Sequence, residues 1–551
     1  MRLVNASTLE LCDFTFTRVP PYMILSHTWG QDEVTFQDMA SSVRHNKKGY
    51  VKIKETCRLA LENNLEYIWV DTCCIDKSSS AELTESINSM FLYYANATIC
   101  IVYLVDLLSG KALGASKCRW FTRGWTLQEL VAPRTHAFYD QTWTCIGSKS
   151  SLVEELSSLT KVPRAVLSRE RPLSDFSVAS RMSWAAHRQT TRLEDMAYCL
   201  LGIFDVHIPL IYGEGCKAFR RLQLEIMKRN NDLTILAWKE PESRGTETHK
   251  SPYMGLLAQS PQDFSTSGKI SPFSSDYPEF SATNKGLVIS PDIPLRIFQV
   301  RDSELQQSAM LLGWDRSTGN HGGILLKKVG PGIFYRKKQE SWVGFDLRGR
   351  QIHLPKNETS FCIMIDPDER SIAQVQWFRE HAISVSHENG FRVHRVVPER
   401  LWDPEDQIFL RPKPYRGVFF PVVVGIWFKV AATGASHASS FIVLCDNQDG
   451  IPGIAVIRDK TGITQLQDTM FSAKHVEESI SFYEMNEAFP GIRWMRPEAG
   501  SVDSKPGHRI HVSRQDSPTE LVKVQLLRTS KHGEKRFLDE NEVLLEDRAS
   551  M

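Results

Sequence analysis

The chain has 551 residues, 42% of them apolar and 24% charged. That length exceeds the reach of one hydrophobic core, and the composition is that of folded protein, so two or three domains are expected and global disorder is excluded. Lys and Arg total 66 against 65 Asp and Glu, which leaves no overall basic field to draw in nucleic acid or anionic lipid.

The first predicted element is a strand in YMILSHTWG, Tyr22 to Gly30, an apolar run ending in a polar loop closed by Gly30. A helix follows over Tyr50 to Asn64, where Ile53, Cys57, Ala60 and Leu61 share a face. LEYIWVDTCCID, Leu65 to Asp76, reads as a second strand, and the segment after it as a helix with Leu83, Ile87, Met90, Phe91 and Tyr94 on one side. Thr98 to Asp106 is a third, buried strand. FTRGWTLQELVA is a third helix, and THAFYD a fourth strand.

This alternation predicts an α/β domain over residues 1–148, with a parallel sheet covered by helices on both faces. Such sheets hold ligands beyond the carboxyl ends of their strands, and those ends here carry SHTWG and DTCCIDK. Residues 149–240 turn helical. The polar segment KEPESRGTETHKSP marks a boundary, and residues 241–551 form short β-rich runs spaced by Gly, Pro and Asp, which predict a β-sandwich or barrel. The longest apolar run, Val418 to Phe428, is interrupted by Pro421; it is far short of the ~20 residues of a membrane helix and reads as a buried strand pair.

Eleven scattered cysteines, with no CxxC pair and no secretory signal, predict buried thiols in a reducing, cytoplasmic setting. No Cys/His set has zinc-site spacing, and no phosphate-binding glycine loop stands at a strand–helix junction. A cysteine nucleophile at Cys73 or Cys74 with His27 as base is conceivable, but buried free thiols are the commoner case. His136 and His207 read as core histidines. Trp125 and Glu129 stand at i and i+4, so an indole could wall a pocket into which the carboxylate projects. A carboxylate in that position can stabilise an oxocarbenium-like transition state, although spacing alone equally fits a packed aromatic beside a solvated glutamate.

Four segments in order, YMILSHTWG, LEYIWVDTCCID, RGWTLQEL and RMSWAAHRQTTRLEDMAYCLLGIFDVHIPLIYGEGCKAFRRLQLEIMK, resemble the HET domain of fungal heterokaryon (vegetative) incompatibility proteins. The resemblance spans roughly residues 1–238. It implies a cytoplasmic trigger of regulated cell death after non-self recognition, with an NLR-like or other incompatibility partner; no nucleotide-binding module or WD repeat is visible. HET domains are in turn distantly similar to TIR domains, whose flavodoxin-like fold suits the strand–helix order.

In TIR enzymes a WxxxE helix carries the glutamate that cleaves NAD at the nicotinamide–ribose bond, commonly in an oligomer. By that resemblance Glu129 is the catalytic residue and Trp125 packs beside the nicotinamide. Ser26, His27, Trp29, Gly30, Asp71, Asp76 and Arg123 shape the pocket, NAD is a substrate, and no resident cofactor or metal is expected. For the pocket residues the alternatives stay open: Trp29 as core, Gly30 as a turn residue, Asp71 or Asp76 as a helix cap, Arg123 as half of an ion pair. The competing reading of the whole is a non-catalytic recruitment module in which Glu129 supports the fold.

Overall fold

The computed structural model describes residues 1–15, 18–115 and 117–241. Beyond them it describes residues 253–272, 279–290, 295–299, 306–338, 343–345, 360–387, 391–411, 423–430, 440–448, 451–457, 460–469, 500–505, 508–515 and 521–528, with a few positions between 485 and 494. Most of the expected boundary segment and the Val418 end of the long apolar run lie outside the described residues.

The N-terminal region is built on a seven-stranded sheet. Its strands are β1 (Arg2–Asn5), β2 (Leu11–Asp13), β3 (Tyr22–His27), β4 (Tyr67–Trp69), β5 (Ile99–Tyr103), β6 (His136–Tyr139) and β7 (Cys145–Ser148), in the spatial order β2-β1-β4-β3-β5-β6-β7. The centre, β4-β3-β5-β6, is parallel, with Ile24 paired to Trp69 on one side and to Cys100 on the other. Every residue of β3 is buried, as expected where helices cover both faces of a parallel sheet. The margins differ from the expected all-parallel sheet: β1 and β2 form an antiparallel hairpin on β4, and β7 returns antiparallel on β6. Two- and three-residue pairings of this kind carry little periodicity for a sequence reading to detect.

Helices α1 (Phe36–Met39), α2 (Tyr50–Glu62), α3 (Ser80–Asn96) and α4 (Thr126–Val131) lie in the connections between these strands. α2 buries Ile53, Cys57 and Ala60 of the predicted face, whereas Leu61, next in sequence to Ala60, is turned to solvent. α3 starts where the Ser79 hydroxyl accepts the Glu82 N–H, and it buries Ile87, Met90, Tyr93 and Tyr94. The parallel strands in sequence order 1 to 4 are arranged 2-1-3-4. In that arrangement the connections that leave the first and the third strand run to opposite sides, opening a crevice at the carboxyl ends of those two strands.

Residues 149–240 form α5 (Val153–Thr160), α6 (Arg164–Leu167), α7 (Val178–Ser183), α8 (Asp195–Tyr198), α9 (Leu201–Phe204) and α10 (Lys217–Arg229). One continuous hydrophobic core runs from Leu3 through these helices to Ile363. The next region, a ten-stranded sheet, is therefore packed onto the helices. Arg336, fully buried, donates to the Leu236 carbonyl at 3.0 Å and to the Trp238 carbonyl at 2.5 Å, with its guanidinium 4.0 Å from the Trp238 ring. Gln223 of α10 exchanges two hydrogen bonds with the Ala258 backbone. Further on, a six-stranded and a four-stranded sheet share a second core around Ile383, Phe409, Phe428 and Val443, a sandwich-like arrangement. No helix among the described residues is long and apolar enough to cross a membrane.

Candidate functional site

α4 is short because Pro133 follows it, and all six of its residues are buried. Glu129 is only 8% exposed, so it is not a solvated surface charge. Its carboxylate accepts the Ser26 hydroxyl at 2.5 Å, and Ser26 in turn accepts the Trp120 indole N–H at 2.7 Å. Ser26 and Trp120 are both fully buried. The chain Trp120–Ser26–Glu129 thus ties the carboxyl end of the first parallel strand to the helix that follows the third.

Burial pushes the Glu129 carboxyl up to about 7; the Ser26 hydroxyl, the Arg123 charge and the Tyr94 hydroxyl pull it down, while Asp71 raises it further. Tyr94, fully buried, also donates to the Leu25 carbonyl at 3.2 Å. On the backbone side, His136 Nε2 lies 2.9 Å from the Glu129 carbonyl oxygen. Burial and the nearby Lys149 charge lower the His136 pKa to about 3. The ring is neutral and carries its proton on Nε2, because a carbonyl only accepts. The expected core position of His136 matches the structure, whereas His207 is exposed: the apolar residues around it in sequence belong to a loop after α9, and Val206 and Ile208 turn inward instead.

The loop after β3 forms the outer part of the site. Trp29 is 37% exposed and is not a core residue; its Nε1 donates to Asp71 Oδ2 at 2.8 Å. His27 is buried between two carboxylates, with Nδ1 3.9 Å from Asp71 and Nε2 3.8 Å from Glu33. Gly30 donates its N–H to Glu33 at 2.7 Å. A Cβ there would meet Glu33 only at ordinary contact distance, so nothing in the fold demands glycine. Ser26, His27, Trp29, Asp71, Arg123 and Glu129 are therefore gathered at one end of the sheet by contact or by charge.

Asp76 stands apart from this group. Its carboxylate accepts the Ser78 N–H and hydroxyl and the Gln37 amide, an Asx turn leading into α3. Cys73 is fully buried, and its thiol is raised well above the ordinary value by Cys74 and by burial, while Cys74 Sγ sits against the Val70 N–H. A protonated, enclosed thiol such as that of Cys73 does not suit nucleophilic attack. Among the described residues no group of three or more His, Cys, Asp or Glu side chains is placed to hold a metal. An open groove of about 360 Å³, lined by Arg2, Trp69, Cys74, Ile75, Glu82 and Tyr93 among others, includes none of the residues expected to hold NAD in its lining.

The helical extension buttresses α4. Arg188 donates to the Arg123 carbonyl and to the Thr126 hydroxyl, both at 2.9 Å, and Gly124 donates to the Gln189 carbonyl at 2.8 Å. Asp195 accepts hydrogen bonds from the Trp125 indole and, at 3.0 Å, from the Tyr212 hydroxyl. Glu194 accepts the N–H groups of Gly213 and Gly215, both at positive φ. The LED and IYGEG segments are thus one locking device, and Trp125 is set by it. Sequence reasoning missed Trp120 and the place of Tyr94 at the site: spacing put Tyr94 on a helix face, but nothing local links either residue to its partner, 94 and 69 residues away.

Residues 22–116 match a family described as "Heterokaryon incompatibility protein (HET)", and residues 217–308 match one described as "Domain of unknown function (DUF8212)". The first match ends before α4; the second begins at α10 and runs into the ten-stranded sheet. Over 241 residues the chain is 47% identical to the vegetative incompatibility protein HET-E-1 of Podospora anserina, a stretch that makes up 42% of this chain and 18% of that protein. The chain therefore spans less than a fifth of that relative's length. No solved structure matches the chain.

Proposed function

We propose, this chain being a HET-domain protein of the heterokaryon incompatibility family, that it is a cell-death effector whose N-terminal site cleaves the nicotinamide–ribose bond of NAD when the protein is clustered. The observation that carries the reading is Glu129: a buried carboxyl at the crevice of a 2-1-3-4 parallel sheet, held near neutrality by burial and aimed by Ser26. The same strand order supports a TIR-like plan.

The nicotinamide ring of NAD is a cationic pyridinium. A buried carboxyl that titrates near 7 gives up its proton readily when that cation enters, because the pair cancels the charge each would bury alone. The Glu129 carboxylate then accepts hydrogen bonds from the ribose hydroxyls and stabilises the positive charge growing at the anomeric carbon as the C–N bond breaks. Nicotinamide leaves with the bonding electron pair as a neutral base, so no strong general acid is required. Water adds to the anomeric carbon and loses its proton. Ser26 and Trp120 act as positioning residues, fixing the carboxylate rotamer.

One observation favours the second reading, a non-catalytic recruitment module: Glu129 already has its hydrogen-bond partner inside the closed fold. The test is nicotinamide release from NAD by the artificially clustered full chain beside Glu129→Gln. The full chain is required because ending at residue 240 would uncover Leu236 and Trp238, which Arg336 and Leu256 now cover. Release by the parent alone supports the glycosidic reading; no release from either, with clustering verified, leaves recruitment.

A further inference from the structure

The DTCCIDK loop ends in a cation that the glycosidic chemistry does not use. Lys77 Nζ lies 3.7 Å from the centroid of the Trp29 ring, and the Arg123 guanidinium carbon lies 5.5 Å from the same centroid. The ring is fixed, because Asp71 holds its Nε1, and it is open to solvent on the rim of the site. Neither cation is within ion-pair distance of a carboxylate among the described residues. They come from different elements, Lys77 from the turn before α3 and Arg123 from the approach to α4; burial chiefly and Arg123 more weakly oppose the Lys77 charge, while Asp71 and Glu33 favour it. Two cations at one fixed indole, with no carboxylate in direct ion-pair contact with either although Asp71 and Glu33 act on Lys77 from farther off, favour a ligand that brings two negative charges. Arg123 is also close enough to Glu129 to act on its charge, so this rim and the buried carboxyl belong to one site.

We propose that Lys77 and Arg123, on the platform of Trp29, form a subsite for the diphosphate group of a dinucleotide. The identity of the dinucleotide rests on the NAD reading; the diphosphate chemistry does not, since free pyrophosphate presents the same charges. The subsite orients the substrate so that its nicotinamide ribose reaches inward to Glu129 while the diphosphate stays at the rim.

The experiment is calorimetric titration of the full chain at low salt with inorganic pyrophosphate, ADP-ribose and nicotinamide riboside, which carries no phosphate. Pyrophosphate and ADP-ribose are expected to bind, and Lys77→Met or Arg123→Met to weaken each by roughly tenfold. Lys77→Arg is expected to stay within a few-fold of the parent, and nicotinamide riboside to be unaffected by any of the three. Thermal melts of each variant check that folding is intact. Glu129→Gln should still bind ADP-ribose, so a chain without turnover reports on the subsite equally well. Binding of pyrophosphate that is lost in Lys77→Met, with no binding of ADP-ribose, would keep the diphosphate subsite and remove the NAD reading. Failure of the parent to bind either diphosphate, or equal affinity in the Lys77→Met/Arg123→Met double variant, would overturn the proposal.

Discussion

Two buried charge centres divide this molecule, and they are built on opposite principles. In the β-rich region Lys327 Nζ lies 3.3, 3.1 and 2.8 Å from Asp403, Glu405 and Asp406. Arg379 joins Asp403 and Asp406, and Lys337 joins Glu405. Although burial opposes its charge, the carboxylates push the Lys327 pKa up, away from neutrality. Glu129 has no such partner: it meets a hydroxyl, while burial moves it toward neutrality. A charge surrounded by opposite charges joins parts of a fold, whereas a charge left to desolvation is ready to change state, which is what chemistry at neutral pH requires.

Breaking the ion network should produce the largest effect. Lys327→Met leaves three carboxylates facing one another in a buried site, and a loss of about 3–5 kcal/mol is expected. It should be read as an earlier denaturant transition in the β-rich region, with the N-terminal site intact. A mild effect would mean that Arg379 and Lys337 suffice, and the contrast between the two centres would narrow.

On the other side of the comparison, Glu129→Gln should reduce nicotinamide release by ~10²–10³-fold, the usual scale for removing one transition-state electrostatic contact. Parent kcat/KM should fall as the pH drops below about 7, where the Glu129 carboxyl of the free enzyme takes up its proton.

The stability of the same variant separates the two functional readings. The folded pKa of Glu129 lies above its ordinary value of 4.5, at about 7, so the folded chain holds a proton that the unfolded chain releases between those values. Its contribution to stability is present at low pH and is lost as pH rises through about 7. Glu129→Gln should therefore be more stable than the parent at pH 8, by on the order of 3 kcal/mol, with the gap closing toward pH 4. A variant less stable than the parent at pH 8 would make Glu129 a structural residue and favour recruitment.

Ser26→Ala should have the smallest effect, a roughly tenfold loss of turnover. Its distinguishing mark is the pH profile: the Ser26 hydroxyl holds the Glu129 pKa down, so removing it should move the acid limb to higher pH. A structural role alone would leave that limb in place.

Much of the frame was legible in the amino-acid order. The four central strands and the buried faces of α2 and α3 follow from apolar spacing, a property of neighbouring residues, and TLQEL reads as a helix for the same reason. The resemblance of SHTWG, DTCCID and RGWTLQEL marked most of the residues that meet at the site. Asp76 shares its segment with Asp71 yet caps a turn, because five residues of chain carry it past the end of the sheet.

Local order thus determined which elements form and which faces they bury. Tertiary structure alone decided that Ser26 reaches Glu129 across 103 residues of sequence, and that Trp120 and Tyr94 complete the setting. It decided as well that Asp195 holds Trp125 and that Lys77 stands over Trp29. The physical reason is that strand order and helix docking set these distances, and both arise from burial summed over the whole core rather than from any local pattern.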